Sequence, residues 1–192
     1  PATPTVVLSP AQRTALLEAA ILAPSGGNCQ PWRWLADGAR LHLFHDRVRS
    51  TSLADFASNG AMVSLGAATE NLVLAAHAEG LEVVSELFPL GEDSDLVASF
   101  AFHHEPTPQC EPHWRDKLAA QIGERHTNRK SQRQRIDPEV LAELPSAVRS
   151  VGADVQFLEE DAELAGLGRI VGSADRVRLF NEDYNREMMS EL

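Results

Sequence analysis

The sequence predicts an α+β fold, and three observations predict it. Two runs of alternating apolar residues are joined by a turn dipeptide, a second pair of strand-like runs follows later, and a long alanine-rich helical pattern lies between the pairs. Together they imply a central antiparallel or mixed sheet flanked by helices, with a long buried helix at its centre.

The elements follow in chain order. Ser9, Pro10 and Gln12 have the form of an N-cap, a first-turn proline and a capping-box partner, and Leu16, Leu17, Ala20 and Ile21 continue at helical spacing until Pro24 stops the helix. From Trp32 the pattern alternates. Asp37-Gly38 stands between WRWLA and RLHLFH as a hairpin turn would, with Leu41 and Leu43 on one face. A helix is then expected from about Ala61 to Glu79, with Met62, Leu65, Thr69, Leu72 and Ala76 along one side and Gly80 where a left-handed C-terminal cap belongs. It is apolar nearly all round, as helices at the centre of a fold or shared between two subunits are. LEVVSELFP and DLVASFAFHH read as two further strands about a turn containing Gly91, and EPTPQCEP reads as a linker. Beyond it, helices are expected in WRDKLAAQIGER and, capped by Asp137, in PEVLAEL; VQFLEE reads as a short strand, and the stretch from Gly166 to Leu192 is helical in pattern. That last pattern has no capping glycine, so either it ends at a surface or the natural protein continues.

Length and charge restrict the function. The chain has 192 residues, enough to bury a full core as one domain or two intimately packed halves. Its formal charge of −11 repels polyanions on average, which argues against nucleic acid and anionic lipid as partners. Any phosphate must therefore be held by local groups. Cys29 and Cys110 are too few for a disulfide framework and are not spaced as zinc ligands, so no metal is expected. No apolar run approaches the length that crosses a bilayer, and a cytoplasmic location is expected.

Two stretches could carry chemistry. In APSGGNCQPW, Pro24 ends a helix, Ser25 follows, Gly26 and Gly27 let backbone N–H groups approach a flat partner, Asn28 and Gln30 add amides, and Trp32 and Trp34 offer aromatic walls. Taken alone, a tight turn with its tryptophans in the core is the simpler reading. In ERHTNRK, Arg125 and Arg129 flank Thr127; two guanidinium forks and a hydroxyl could grip a phosphate dianion, each charge-assisted bond contributing about 1.5–3 kcal/mol. Here too a solvated basic face, with Arg133 and Arg135 close by, is the simpler reading. There is no G-x-S-x-G elbow, Walker loop, H-E-x-x-H or dinucleotide G-x-G-x-x-G. His42, His45, His103 and His104 fall on the expected strands, where hydrogen-bonding or surface roles outweigh catalytic ones.

In combination these stretches point further. APSGGNCQPW, then GAATENLVLAAHAEGL from Gly66 to Leu81, then RHTNR before DPEVLAEL, resemble the nitroreductase family of FMN-dependent enzymes over most of residues 9–158. In that family the arginine motif precedes the A-P-S motif, whereas here it follows. The order is similar to the subgroup in which two nitroreductase-like halves are fused, as in Acg-like proteins and in modules attached to E1-like (ThiF-type) adenylating domains. The resemblance implies residues 1–105 as a first half and residues 106–192 as the start of a second, truncated one. It implies FMN held by Pro24, Ser25, Gly26, Gly27, Asn28 and Gln30 at the isoalloxazine and by Arg125, Thr127 and Arg129 at the phosphate. It also implies electron transfer from NAD(P)H to a nitroaromatic or quinone acceptor, and a homodimer. No catalytic residue is assigned. The alternative is a flavin-binding or regulatory module without turnover, part of a larger protein with an adenylating domain.

Overall fold

The computed structural model describes residues 5–104, 114–128, 130, 136–150 and 152–190. The chain separates into two compact units, Pro1–Thr127 and Asn128–Leu192.

The first unit is α+β. Helix α1 (Pro10–Ile21) opens with a complete capping box: the Ser9 hydroxyl accepts from the Gln12 N–H at 3.2 Å while Ser9 N donates to Gln12 Oε1 at 3.1 Å. Strands β1 (Trp32–Asp37) and β2 (Arg40–His45) form the expected hairpin, with Trp34 opposite Leu43 and Gly38 at a φ of 55° in the turn. Helix α2 (Asn59–Ala78) buries Leu65, Ala68, Leu72 and Ala76, and Gly80 ends it at a φ of 72°. Strands β3 (Leu81–Leu87) and β4 (Leu96–His104) follow, and the sheet is antiparallel throughout in the order β1-β2-β4-β3. Leu41, Leu43, Ala98, Phe100 and Phe102 project from one face of the sheet into a core shared with Leu16, Leu65 and Leu72. Burial of that set is the main force holding the unit together.

Two features of this unit carry no pattern in the sequence. A 3₁₀ turn at Phe56–Ser58 places Ala57 and Ser58 at φ values of 52° and 58°, so Ser58 cannot cap α2. Asp55 caps it instead, accepting from Gly60 N at 2.7 Å and Ala61 N at 2.9 Å. A Cβ at Gly60 would stand 3.3 Å from the Asp55 carboxylate, which is why a glycine suits this cap.

Helix α3 (Trp114–Ala119) is shorter than the pattern of WRDKLAAQIGER suggested and continues as turns to Glu124. In the second unit, α4 (Pro138–Ser150) starts under Asp137, whose Oδ1 accepts from Glu139 N at 2.9 Å. Helices α5 (Asp161–Phe180) and α6 (Glu182–Ser190) follow, parted at Asn181. VQFLEE is not a strand: residues 153–159 are irregular, because a short apolar run becomes a strand only when another strand pairs with it, and among the described residues none does. The linker EPTPQCEP, Cys110 and Arg129 lie outside the described residues.

Candidate functional site

The stretch after α1 divides into two parts with different fates. Its tryptophans belong to the core: Trp32 is 5% exposed, and Trp34 lies on the same face of β1 with its ring 5.9 Å from that of Phe100. The aromatic-wall reading therefore yields to packing for both. Residues Pro24–Gln30 do the opposite and stay at the surface.

Their backbone is unusual. Ser25 is extended, then a 3₁₀ turn at Gly26–Asn28 places Gly27 at a φ of 54°, Asn28 at 56° and Gln30 at 48°. For a residue with a side chain the left-handed region costs about 1–2 kcal/mol, though asparagine tolerates it better than most. Local hydrogen bonds hold the conformation: Gln30 N donates to Ser25 Oγ at 3.0 Å, Asn28 N to Ser25 O at 3.1 Å and Cys29 N to Gly26 O at 2.9 Å. The space in front of Gly26 is open, with no atom within 4 Å of where a Cβ would stand. The side-chain amides of Asn28 and Gln30 spend no hydrogen bond on the described residues. Chain reversals that strain several residues in sequence, yet leave their polar groups facing solvent, are characteristic of binding loops.

The second and third motifs meet the first at the C-terminal end of α1, where helix carbonyls lack partners within the helix. Asn71, the asparagine of GAATENL, donates from Nδ2 to Ala19 O at 3.0 Å. Arg125, the first arginine of RHTNR, donates from a terminal nitrogen to Leu22 O at 3.3 Å. A cation suits that helix end electrostatically as well. Residues of the second and third motifs, far apart in the chain, thus meet the end of α1 within five residues of Pro24. Thr127 is exposed.

A polar cluster anchors the other end of the stretch. Pro31 O accepts from Asp46 N at 2.9 Å, and Asp46, 5% exposed, takes Arg33 Nε at 2.7 Å and Arg49 N at 3.2 Å. The hydrogen bond from Arg33 holds the Asp46 carboxyl below the usual carboxylate range, against the opposing effect of burial. Beside it His45, 3% exposed, sits with Nε2 2.7 Å from Ser50 Oγ, and burial together with the Arg47 charge lowers its pKa. His45 is thus a neutral, buried, hydrogen-bonded histidine, in line with the non-catalytic reading of the strand histidines. Neither Asp46 nor Ser50 stands out in the sequence; each acquires its role through contacts that only the hairpin creates.

An apolar groove of 510 Å³ lies between α1, α2 and the α3 region, lined by residues including Leu16, Ala19, Leu22, Ala75 and Ile122. Leu22 touches it, but none of Pro24–Gln30 does. Among the described residues no group of His, Cys, Asp and Glu is arranged to hold a metal, and no helix is long and apolar enough to cross a membrane.

No protein-family model matches the chain. It is similar to curated proteins of Mycobacterium tuberculosis. It is 32% identical over 177 residues to the uncharacterized protein MT1398, covering 91% of this chain and 24% of that protein. It is 34% identical over 86 residues to a protein provisionally named NAD(P)H nitroreductase Acg, covering 45% of this chain and 26% of that one. The chain spans about a quarter of the length of the curated relatives it matches. Among solved structures, a nitroreductase-type protein from Desulfovibrio desulfuricans in complex with FMN overlaps with a TM-score of 0.44 at 24% identity, over 57% of this chain and 84% of that one. The NADPH:FMN oxidoreductase of Vibrio harveyi complexed with NAD⁺ overlaps with a TM-score of 0.43 at 19% identity, over 78% and 80%. Overlaps at this level carry no argument about function.

Proposed function

We propose that the chain is part of an FMN-dependent NAD(P)H oxidoreductase of nitroreductase type, contributing the loop that lies against the isoalloxazine. The observation that carries the reading is the surface turn Pro24–Gln30, with left-handed Gly27, Asn28 and Gln30 beside an open Gly26, in a stretch that matches the family's A-P-S-x-x-N-x-Q-P-W signature. The convergence of Asn71 and Arg125 on the same helix end supports it, as does the sequence likeness to the protein named Acg.

The residues fit the group. A flat heteroaromatic ring with carbonyl and N–H edges needs close backbone approach and adaptable amides, which Gly26, Gly27, Asn28 and Gln30 provide. Ser25 fixes their conformation through Gln30 N, and Pro24 ends the preceding helix. The phosphate would be held by Arg125 and Thr127, completed by Arg129, so that an acidic protein binds an anion through local charge alone. When bound, FMN supplies the redox chemistry, passing electrons from NAD(P)H to a nitroaromatic or quinone acceptor. The chain's own part is to orient the ring, hydrogen-bond its edge and neutralise the phosphate.

In this reading residues 1–105 form a first nitroreductase-like half and residues 106–192 begin a second, the working unit is a cytoplasmic homodimer, and the longer relatives reflect the fused subgroup. The decisive experiment is an FMN titration followed by addition of NADPH or NADH. A perturbed flavin spectrum that bleaches on adding nucleotide and recovers with a quinone supports the oxidoreductase; no binding at all ends the proposal, and binding without bleaching leaves a flavin-binding module.

A further inference from the structure

We propose that Arg33 and Arg49, gathered on the buried carboxylate of Asp46, form a binding site for a phosphomonoester, and that the phosphate it takes is the 2′-phosphate of NADPH; the second part rests on the oxidoreductase reading above. Asp46 Oδ2 lies 2.7 Å from Arg33 Nε and 3.5 Å from Arg49 Nε, and the Asp46 side chain is only 4% exposed. One carboxylate needs one counter-charge, and Arg33 supplies it at hydrogen-bond distance. Arg49 satisfies Asp46 through its backbone N–H and brings a second guanidinium that the carboxylate does not require.

The cluster therefore carries one positive charge in excess, on a chain whose formal charge is −11. Arg47 adds no further excess, because it is paired with Asp95. Both guanidiniums face Asp46 with Nε, and among the described residues their terminal nitrogens make no hydrogen bond. These nitrogens sit on side chains that are 69% and 55% exposed. Two forks held side by side by a buried anchor, with their outer N–H groups turned to solvent, are pre-organised for a tetrahedral dianion, since less rotamer freedom is lost on binding. The cluster also stands next to the proposed flavin loop: Asp46 N holds Pro31 O, one residue after Gln30. A dinucleotide that folds back on itself with its nicotinamide at that loop would bring its 2′-phosphate to this cluster, and a guanidinium that discriminates the 2′-phosphate is a recognised way of choosing NADPH over NADH.

The probes are adenosine 2′-monophosphate, adenosine and inorganic phosphate, titrated into the whole chain and followed by calorimetry. Adenosine 2′-monophosphate should bind at least tenfold tighter than either of the others, and Arg49→Ala should weaken it about tenfold without changing adenosine. Arg49→Ala spares the Arg33–Asp46 bond, so its thermal midpoint should match wild type. Arg40→Ala, on the same hairpin but next to Ser99 and Glu86, is the control and should change nothing. On the flavin-loaded protein Arg49→Ala should raise KM for NADPH about tenfold, with kcat and the NADH parameters unchanged.

Failure at each level reads differently. Equal affinity for adenosine and its 2′-phosphate, or indifference to Arg49→Ala, overturns the site. Inorganic phosphate binding as tightly as the nucleotide overturns the NADPH assignment, as does an unchanged NADPH-to-NADH preference in the variant. Arg49-dependent binding of adenosine 2′-monophosphate by a chain that takes no flavin upholds the phosphate site and removes the oxidoreductase reading.

Discussion

The two units of this chain use apolar residues in opposite ways. In the first, Leu16, Leu43, Leu65, Leu72, Phe100 and Phe102 are all fully buried in one core. In the second, no described residue is buried, and α5 leaves Leu164, Leu167, Ile170 and Val171 between 46% and 69% exposed. The helical pattern of α5 is as plain as that of α2, so periodicity alone does not tell a helix that builds a core from one that has apolar side chains left over. What separates them is a sheet to pack against: α2 has one, and its stability comes from that burial rather than from helix propensity.

The largest test of this contrast is truncation in the two helices. Leu72→Ala removes a fully buried side chain from α2 and should cost about 2–5 kcal/mol in chemical denaturation. Leu167→Ala, at 46% exposure in α5, should cost less than about 1 kcal/mol. Comparable losses at the two positions would mean that α5 is covered in solution.

Within the first unit a smaller difference is expected between the core and the loop it carries. Ser25→Ala removes the acceptor for Gln30 N and should lower stability by about 1 kcal/mol, while weakening FMN and riboflavin equally because the turn proposed to meet the ring is loosened. An effect on FMN alone would place Ser25 at the phosphate instead.

A change of pH separates the polar cluster from the apolar core. His45 has its folded pKa below the ordinary 6.5 because burial disfavours the imidazolium. The unfolded chain therefore binds this proton more readily, so the stability that His45 contributes is intact above pH 6.5 and is lost as pH falls below it towards the folded pKa. Asp46, also lowered, acts in the same direction but only near and below its ordinary 3.8. Unfolding free energy measured from pH 7.5 to 5 should fall with pH in wild type and fall less in His45→Gln. An unchanged slope in the variant would assign the decline to other groups.

Much of the first unit was legible in the sequence because its signals are local. The Ser9–Gln12 capping box, the Asp37-Gly38 turn and the left-handed Gly80 each act within a few residues and appear as expected. VQFLEE failed for the opposite reason, since a strand is a relationship with a neighbour. Asp55 as the cap of α2 was hidden because the turn between them bends through Ala57 and Ser58, residues with no sequence preference for a left-handed φ. The same holds for the candidate site. Pro24–Gln30 could be picked out from sequence as a candidate, but no residue pattern announces a left-handed φ at Gln30, and the bond from Arg125 across to Leu22 and the pairing of Arg33 with Asp46 depend on contacts distant in the chain.

The central claim is that Pro24–Gln30 receives the flavin ring while the Arg125 stretch holds its phosphate, and paired titrations of FMN and riboflavin into wild type, Asn28→Ala and Arg125→Ala test it most directly. The account predicts that wild type binds both ligands, that Asn28→Ala weakens both alike, and that Arg125→Ala weakens FMN about ten- to a hundredfold while riboflavin stays within about twofold. Equal weakening of both ligands by Arg125→Ala would reduce that arginine to its bond with Leu22 O, and an unchanged affinity for both in Asn28→Ala would contradict the flavin site itself.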